Sequence, residues 1–423
     1  MNAKKVAIAC QGGGTHAAFT WGVLSKVLET QPKWNSETNG PAERFEITAF
    51  SGTSSGALCA LAAWYGLVRN KADADCGNTY KAIERLRHLW STFSAKTPTE
   101  RSLNAVVLAA GELKGKGVPF PTTDPYSPAA DVAVAGLSML GARDEYLSFD
   151  SLLREICPDF DEINWEAVAE SRLRMIAGAV EIHSGNFEVF DSHKTLEAEV
   201  PSSLRESGEQ HAELKWRMRR PLSLEGVAAS GTLPEVLRAQ CIPNTEFPTG
   251  VRGTTRHRDA FYWDGLYSQN PPVRMLLKDV PKDEKPNEIW VIRINPQEMH
   301  GDVTCVEDIH DRANELAGNL SLNAELNHIL SVNEWIDTLP GNHFLRTTRK
   351  HVVVRTIKMR RDTAQRLRSS TKADRSWHHL KDLHDEGRAV AEKWLADWRT
   401  QGQAFECYPN DASYPDGESV APV

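Results

Sequence analysis

Residues 45–68, FEITAFSGTSSGALCALAAWYGLV, carry the grammar that sets the fold: a short apolar run, a Ser/Gly turn, then a nearly all-apolar helix. The same grammar stands upstream. KVAIAC (5–10) stops at Gly12-Gly13-Gly14, and HAAFTWGVLSKVLE follows with Phe19, Val23, Leu24, Val27 and Leu28 at helical spacing. Tandem strand–turn–helix units predict an α/β fold, with a mostly parallel sheet sandwiched by helices, because helical crossovers cover both faces of such a sheet.

Further out, MIAGAVEI (175–182) and IWVIRINP (289–296) read as buried strands and VVVRTIKM (352–359) as an edge strand. Between 100 and 145, glycines and prolines separate LNAVVLAAG from AADVAVAGLSMLGA. This reads as an insertion: a lid or interfacial contact on one account, a packed satellite hairpin on the other. From about 305 the pattern is helical and charged, through NELAGNLSLNAELNHILSVNEWI and EGRAVAEKWLADWRTQ. The expected organisation is an α/β domain over 1–300, a mainly helical C-terminal region over 301–406, and a disordered tail over 407–423.

The 423 residues are 40% apolar and 25% charged, ordinary for a soluble globular chain. That excludes a disordered chain and a polytopic membrane protein. With 49 Lys and Arg against 57 Asp and Glu, the net charge of −8 argues against nucleic acid as a partner. The seven cysteines form no CxxC or zinc spacing, so reduced thiols, no metal and a cytoplasmic location are expected. The run after Lys5 is too short for a secretory signal, and residues 57–68 are too few to span a bilayer. The charge is uneven, however: residues 346–368 carry nine Lys and Arg against the single acid Asp362. Lys-Trp-Arg-Met-Arg-Arg (215–220) mixes charge with Trp in the manner of headgroup-level segments. A solvated face is the plainer reading of both, but peripheral contact with an anionic membrane stays open.

Gly52-Thr53-Ser54-Ser55-Gly56 is a G-x-S-x-G between a strand and a helix. A nucleophilic serine needs such a sharp turn to stand its hydroxyl clear, and the flanking glycines remove the clash the turn would create. The bland alternative is a Ser/Gly turn that caps a helix. Gly12-Gly13-Gly14-Thr15 leaves backbone N–H groups unobstructed at a strand end, suited to an oxyanion or a phosphate. Gly12-x-Gly14-x-x-Ala17 also fits a dinucleotide turn, but the next strand ends in Ser51-Gly52 with no acidic residue for a ribose. An oxyanion hole is therefore the preferred reading, and no cofactor is expected. A serine nucleophile needs a base. Asp264, in Tyr262-Trp263-Asp264-Gly265, is the distinctive candidate, although an Asp-Gly pair is more often a plain turn.

In this order the three elements resemble the patatin-like phospholipases, serine acyl hydrolases with a Ser–Asp dyad and no catalytic histidine. The resemblance covers about residues 5–275. QGGGTHAAFTWGVL, Ala229-Ser230…Pro234, FYWDGLYSQNPP and IWVIRINP are similar to one bacterial branch of the family, and NELAGNLSLNAEL and EGRAVAEKWL to its helical C-terminal part. It implies Ser54 as nucleophile and Asp264 as general base on a loop with Gly265. It further implies amides around Gly12, Gly13, Gly14 and Thr15 as the oxyanion hole, joined by that of Ser55. The implied substrate is a lipid or small ester. There are three departures from the family pattern: His16-Ala17 replace a basic residue and glycine, Ser55 replaces alanine, and Leu266 replaces a small residue. The His16, Ala17 and Leu266 departures motivate a rival, a weakly active binding or regulatory relative. A conventional Ser-His-Asp esterase is the other, with His300, His310, His328, His343, His351, His378, His379 and His384 as candidate histidines.

Overall fold

The computed structural model describes residues 3–36, 44–68, 78–118, 124–193, 197–199, 217–234, 236–248, 255–297, 303 and 306–401. The expected tail over 407–423, His300, and Lys215-Trp216 lie outside them. The first unit runs β1 (Lys4–Cys10), a 310 turn (Gly14–Ala17) and α1 (Ala18–Ser36). The second runs β2 (Phe45–Gly52) and α2 (Ser55–Leu67). Then come α3 (Thr79–Phe93), α4 (Pro98–Gly115), α5 (Pro128–Met139), α6 (Asp144–Leu147), α7 (Phe149–Ile156) and α8 (Trp165–Glu170). The chain returns to the sheet with β3 (Arg174–Glu181), β4 (Asn186–Asp191), β5 (Glu197–Glu199) and β6 (Arg217–Pro221). After α9 (Leu224–Ser230) come β7 (Gln240–Pro248), β8 (Thr255–Asp264) and β9 (Glu288–Arg293). The last elements are α10 (Val306–Thr338), α11 (Phe344–Thr348), β10 (Val353–Lys358), α12 (Arg361–Arg366) and α13 (Trp377–Gln401).

The strands form one sheet in the order β10-β9-β1-β2-β3-β4-β6-β5, with β8 also on β3 and β7 on β8. From β10 to β3 every pairing is parallel. The far side mixes directions, with β4 and β8 antiparallel to β3. This is an α/β fold with a mostly parallel sheet flanked by helices. The strand β10 is the expected edge strand. It continues the sheet through β9, so the region after residue 300 contributes to the same sheet as β1.

The period-two alternation of β1 divides the core. Val6, Ile8 and Cys10 face α1, α2 and α13, whereas Ala7 and Ala9 face Leu322, Leu326 and Ile329 of α10. On the first face α13 packs backbone to backbone against α1. A Cβ on Gly22 would run into the His384 carbonyl, and one on Gly387 into the Phe19 carbonyl. The two backbones meet at reciprocal glycines. Trp290 on β9 packs edge-on against Trp394 and Trp398 of α13 and fixes its far end.

Candidate active site

The register explains how two distant turns become one place. Cys10 pairs with Gly52, so β1 and β2 end level and release Gly12–Gly14 and Thr53–Ser54 at the same edge of the sheet. This is the carboxyl end of the parallel strands, where open α/β sheets hold their ligands. Gly12 is required by contact: a Cβ there would stand 2.7 Å from the Cβ of Ser54. The elbow glycines serve the same end. Gly52 lies against the Gly56 carbonyl, and Gly56 against the carbonyls of Cys10 and Gln11, so α2 starts directly on β1.

Ser54 has φ 55° and ψ −135°, a left-handed backbone for a residue with a side chain. Such strain survives only where surrounding bonds over-determine it. Here the Ser54 amide donates to both the carbonyl and the hydroxyl oxygen of Ser230, each at 3.0 Å. The Ser230 hydroxyl in turn donates to the Gly178 carbonyl at 2.6 Å. Although Ser54 occupies the N-cap of α2, its side chain makes no capping hydrogen bond. The hydroxyl is therefore not engaged as the helix cap that the bland reading supposes.

Asp264 ends β8 where Ala179 of β3 pairs with it, and it is fully buried. Its amide donates to the Thr232 carbonyl at 2.8 Å, and its Oδ1 accepts from the Leu266 amide at 2.8 Å. Oδ2 is buried with no partner in full hydrogen-bond geometry. Burial raises the carboxyl pKa from 3.8 to about 7, against the pull of the Ser54 hydroxyl and the Leu266 amide. The Ser54 hydroxyl favours the charged form of Asp264, and no histidine is among the groups that set this pKa. Gly265 packs on the Gly178 carbonyl and Thr53, and Thr53 Oγ1 donates to the Gln269 carbonyl at 2.5 Å.

The four residues of the glycine turn differ in what their amides do. Gly12 N–H donates to Asn270 Oδ1 at 2.7 Å, so it is already engaged. Gly13 N–H makes a longer bond of 3.3 Å to the Ser55 hydroxyl. Gly14 and Ser55 open their helices, and their amides have no acceptor among the described residues. Thr15 Oγ1 donates to the Thr371 carbonyl at 2.7 Å. His16 is buried, bonded through Nε2 to Thr371 Oγ1 at 2.8 Å, and burial beside Lys372 and His379 lowers its pKa well below the usual histidine value. The charged imidazolium is thus disfavoured, and the positive charge near this turn is that of Lys372. Leu266, half-buried, lies where α10 approaches at Gly318.

Sequence reasoning did not assign roles to Asn270, Ser230 and Thr232, which hold Gly12, Ser54 and Asp264. Asn270 and Ser230 do fall in quoted segments, and Asn270 bonds Gly12 from both ends of its amide. Of the candidate histidines, His343 caps α11, His351 pairs with Asp337, and His384 packs on Trp21 beside Asp385. Among the described residues, no group of three His, Cys, Asp or Glu side chains forms a metal site.

No protein-family model and no curated protein matches the sequence. Among solved structures, the chain is similar to that of full-length SpcU in complex with full-length ExoU from the type III secretion system of Pseudomonas aeruginosa. Identity is 14%, with 93% of this chain and 53% of that chain covered. The TM-score is 0.25, at which the likeness carries no argument. The chain spans about half the length of that relative.

Proposed function

We propose that this protein is a patatin-like serine acyl hydrolase that cleaves carboxylic esters of lipids through Ser54 and Asp264. One observation carries the reading above the others. Ser54 is held at positive φ by Ser230, with its hydroxyl unused as a cap and beside a buried aspartate. A plain helix-capping turn accounts for none of these features.

In the proposed reaction Asp264 accepts the Ser54 hydroxyl proton while Oγ bonds to the ester carbonyl carbon. The carbonyl π electrons move to oxygen, and the oxyanion takes hydrogen bonds from the Gly14 and Ser55 amides, with Gly13 exchanging its long bond to Ser55 for the stronger charged acceptor. Gly12 acts by position, since its N–H belongs to Asn270. Collapse breaks the C–O bond, and Asp264 returns the proton to the departing alkoxide. Water then attacks the acyl carbon and gives one proton to Asp264; collapse breaks the bond to Ser54 Oγ, Asp264 returns that proton to Oγ, and the carboxylic acid leaves. Each oxyanion donor is worth about 3–4 kcal/mol of the barrier.

A fluorophosphonate probe is expected to label the wild-type protein and to leave Ser54→Ala unlabelled. Equal labelling of the two removes Ser54 as nucleophile. Ester hydrolysis measured side by side on wild type, Ser54→Ala and Asp264→Asn completes the test. A second reading, a weakly active binding relative, is favoured by two features: the turn Ser369–Ala373 presses the Lys372 carbonyl against Gly14, and Ser54 is only 9% exposed. No turnover of short p-nitrophenyl esters by folded protein selects it.

A further inference from the structure

Helix α5, PAADVAVAGLSM, buries none of its residues. Val132 is 73% exposed, Met139 90% and the following Leu140 72%, with Val134 also exposed. The only charge on the helix, Asp131, is paired with Arg238 at 2.9 Å. A helix that is apolar all round is ordinarily covered on all sides. Helix α4 adds exposed Val106, Val107 and Leu113 to the same part of the molecule.

The pair is fastened to both flanks of the candidate site. On one flank α4 meets the Ser369–Ala373 turn, Gly111 against Ser370, and Asn104 bonds Asp374 and the Arg375 amide. That turn lies on Gly14, Thr15 and His16. On the other flank, the Tyr126 hydroxyl accepts from the Ala239 amide and Arg238 Nε donates to the Pro125 carbonyl. This segment continues from Ser230 and Thr232, which hold Ser54 and Asp264. A Thr99–Leu140 bond and an Arg143–Glu100 ion pair close the frame.

We infer that α4 and α5 form a docking face for an anionic lipid bilayer, which brings the mouth of the Ser54 site to the lipid surface. The face is read from α4 and α5 alone; that it delivers substrate rests on the acyl-hydrolase reading. Two features select lipid over a protein groove. The consecutive residues 132–135 are all exposed, whereas a helix made for a groove offers a stripe at i, i+3, i+4 and i+7. A fluid interface accepts apolar groups from every side. The exposed charge at the margin is net basic: Lys116 at the end of α4, with Arg366 (3.9 Å from Asp362) and Arg368 leading into the Ser370 contact, outnumber exposed Glu112 and Asp362.

The test is flotation of full-length Ser54→Ala protein with phosphatidylcholine vesicles containing 30% phosphatidylglycerol (roughly a physiological anionic fraction), with and without Val132→Glu, Val134→Glu and Met139→Glu. Glutamate is chosen because it is a good helix former. The parent is expected to float, and the triple variant to bind roughly tenfold or more weakly. In the Ser54 background the triple variant should still hydrolyse a soluble short-chain ester at the wild-type rate. Failure of the parent to float, equal flotation of both, or equal binding to pure phosphatidylcholine overturns the inference. So does a concentration-dependent dimer that the triple variant abolishes, which would assign the face to a second copy. Flotation without esterase activity in the wild type keeps the face and removes the acyl-hydrolase reading.

Discussion

At the scale of single residues, Asp264 is the most informative side chain. Its folded pKa of about 7 lies above its ordinary 3.8, so protonation stabilises the fold. That contribution is complete below about pH 4, declines as pH rises, and is gone above about 7. Asp264→Asn is therefore expected to exceed the wild type in stability by up to about 4 kcal/mol at pH 8, a margin that narrows toward pH 5. Urea unfolding of both proteins at the two values checks this, and a margin independent of pH refutes it. Activity runs the other way, because the base must be ionised to take the Ser54 proton. The wild-type kcat/KM should rise through about pH 7 to a plateau, whereas Asp264→Asn should lie about a hundredfold or more below that plateau and show no such rise.

At the scale of elements, the meeting of α1 and α13 depends on Gly22 and Gly387. A methyl at Gly387 would drive into the Phe19 carbonyl, and backbone cannot yield as a rotamer can. Gly387→Ala is expected to cost about 3 kcal/mol or more, whereas alanine at exposed Gly117, with open space around it, pays only for its positive φ, about 1–2 kcal/mol. Thermal melts of the two variants make the comparison. The glycines at 387 and 22 also mark where reading from sequence stops. Alternation and turn chemistry made β1, β2, α1 and α2 legible, as they are written in neighbouring residues. The 310 start of α1 at Gly14 and the glycine crossing were not, because both are set by residues over 300 positions away. At the candidate site, Ser54 and Asp264 stood out by their turns. Asn270, 258 positions from the Gly12 amide it holds, is revealed only by the folded chain.

At the scale of the molecule, the last third of the chain finishes a sheet that the first strand begins. β9 lies between β1 and β10, and Trp290 on it is covered by α13. A chain ending at residue 300 would present β9 as a bare hydrophobic edge with Trp290 uncovered, the arrangement that invites strand-to-strand aggregation. Such a fragment is expected in the pellet after centrifugation, and a soluble, monomeric fragment would contradict this account of the sheet. The stretch after α9 has a further consequence. Ser230 grips the Ser54 amide and, two residues on, Thr232 grips that of Asp264. Thermal breathing that shifts this anchor carries nucleophile and base together, as two points on one ruler. Their separation is thereby protected from vibrations that would blur a pair mounted on independent supports.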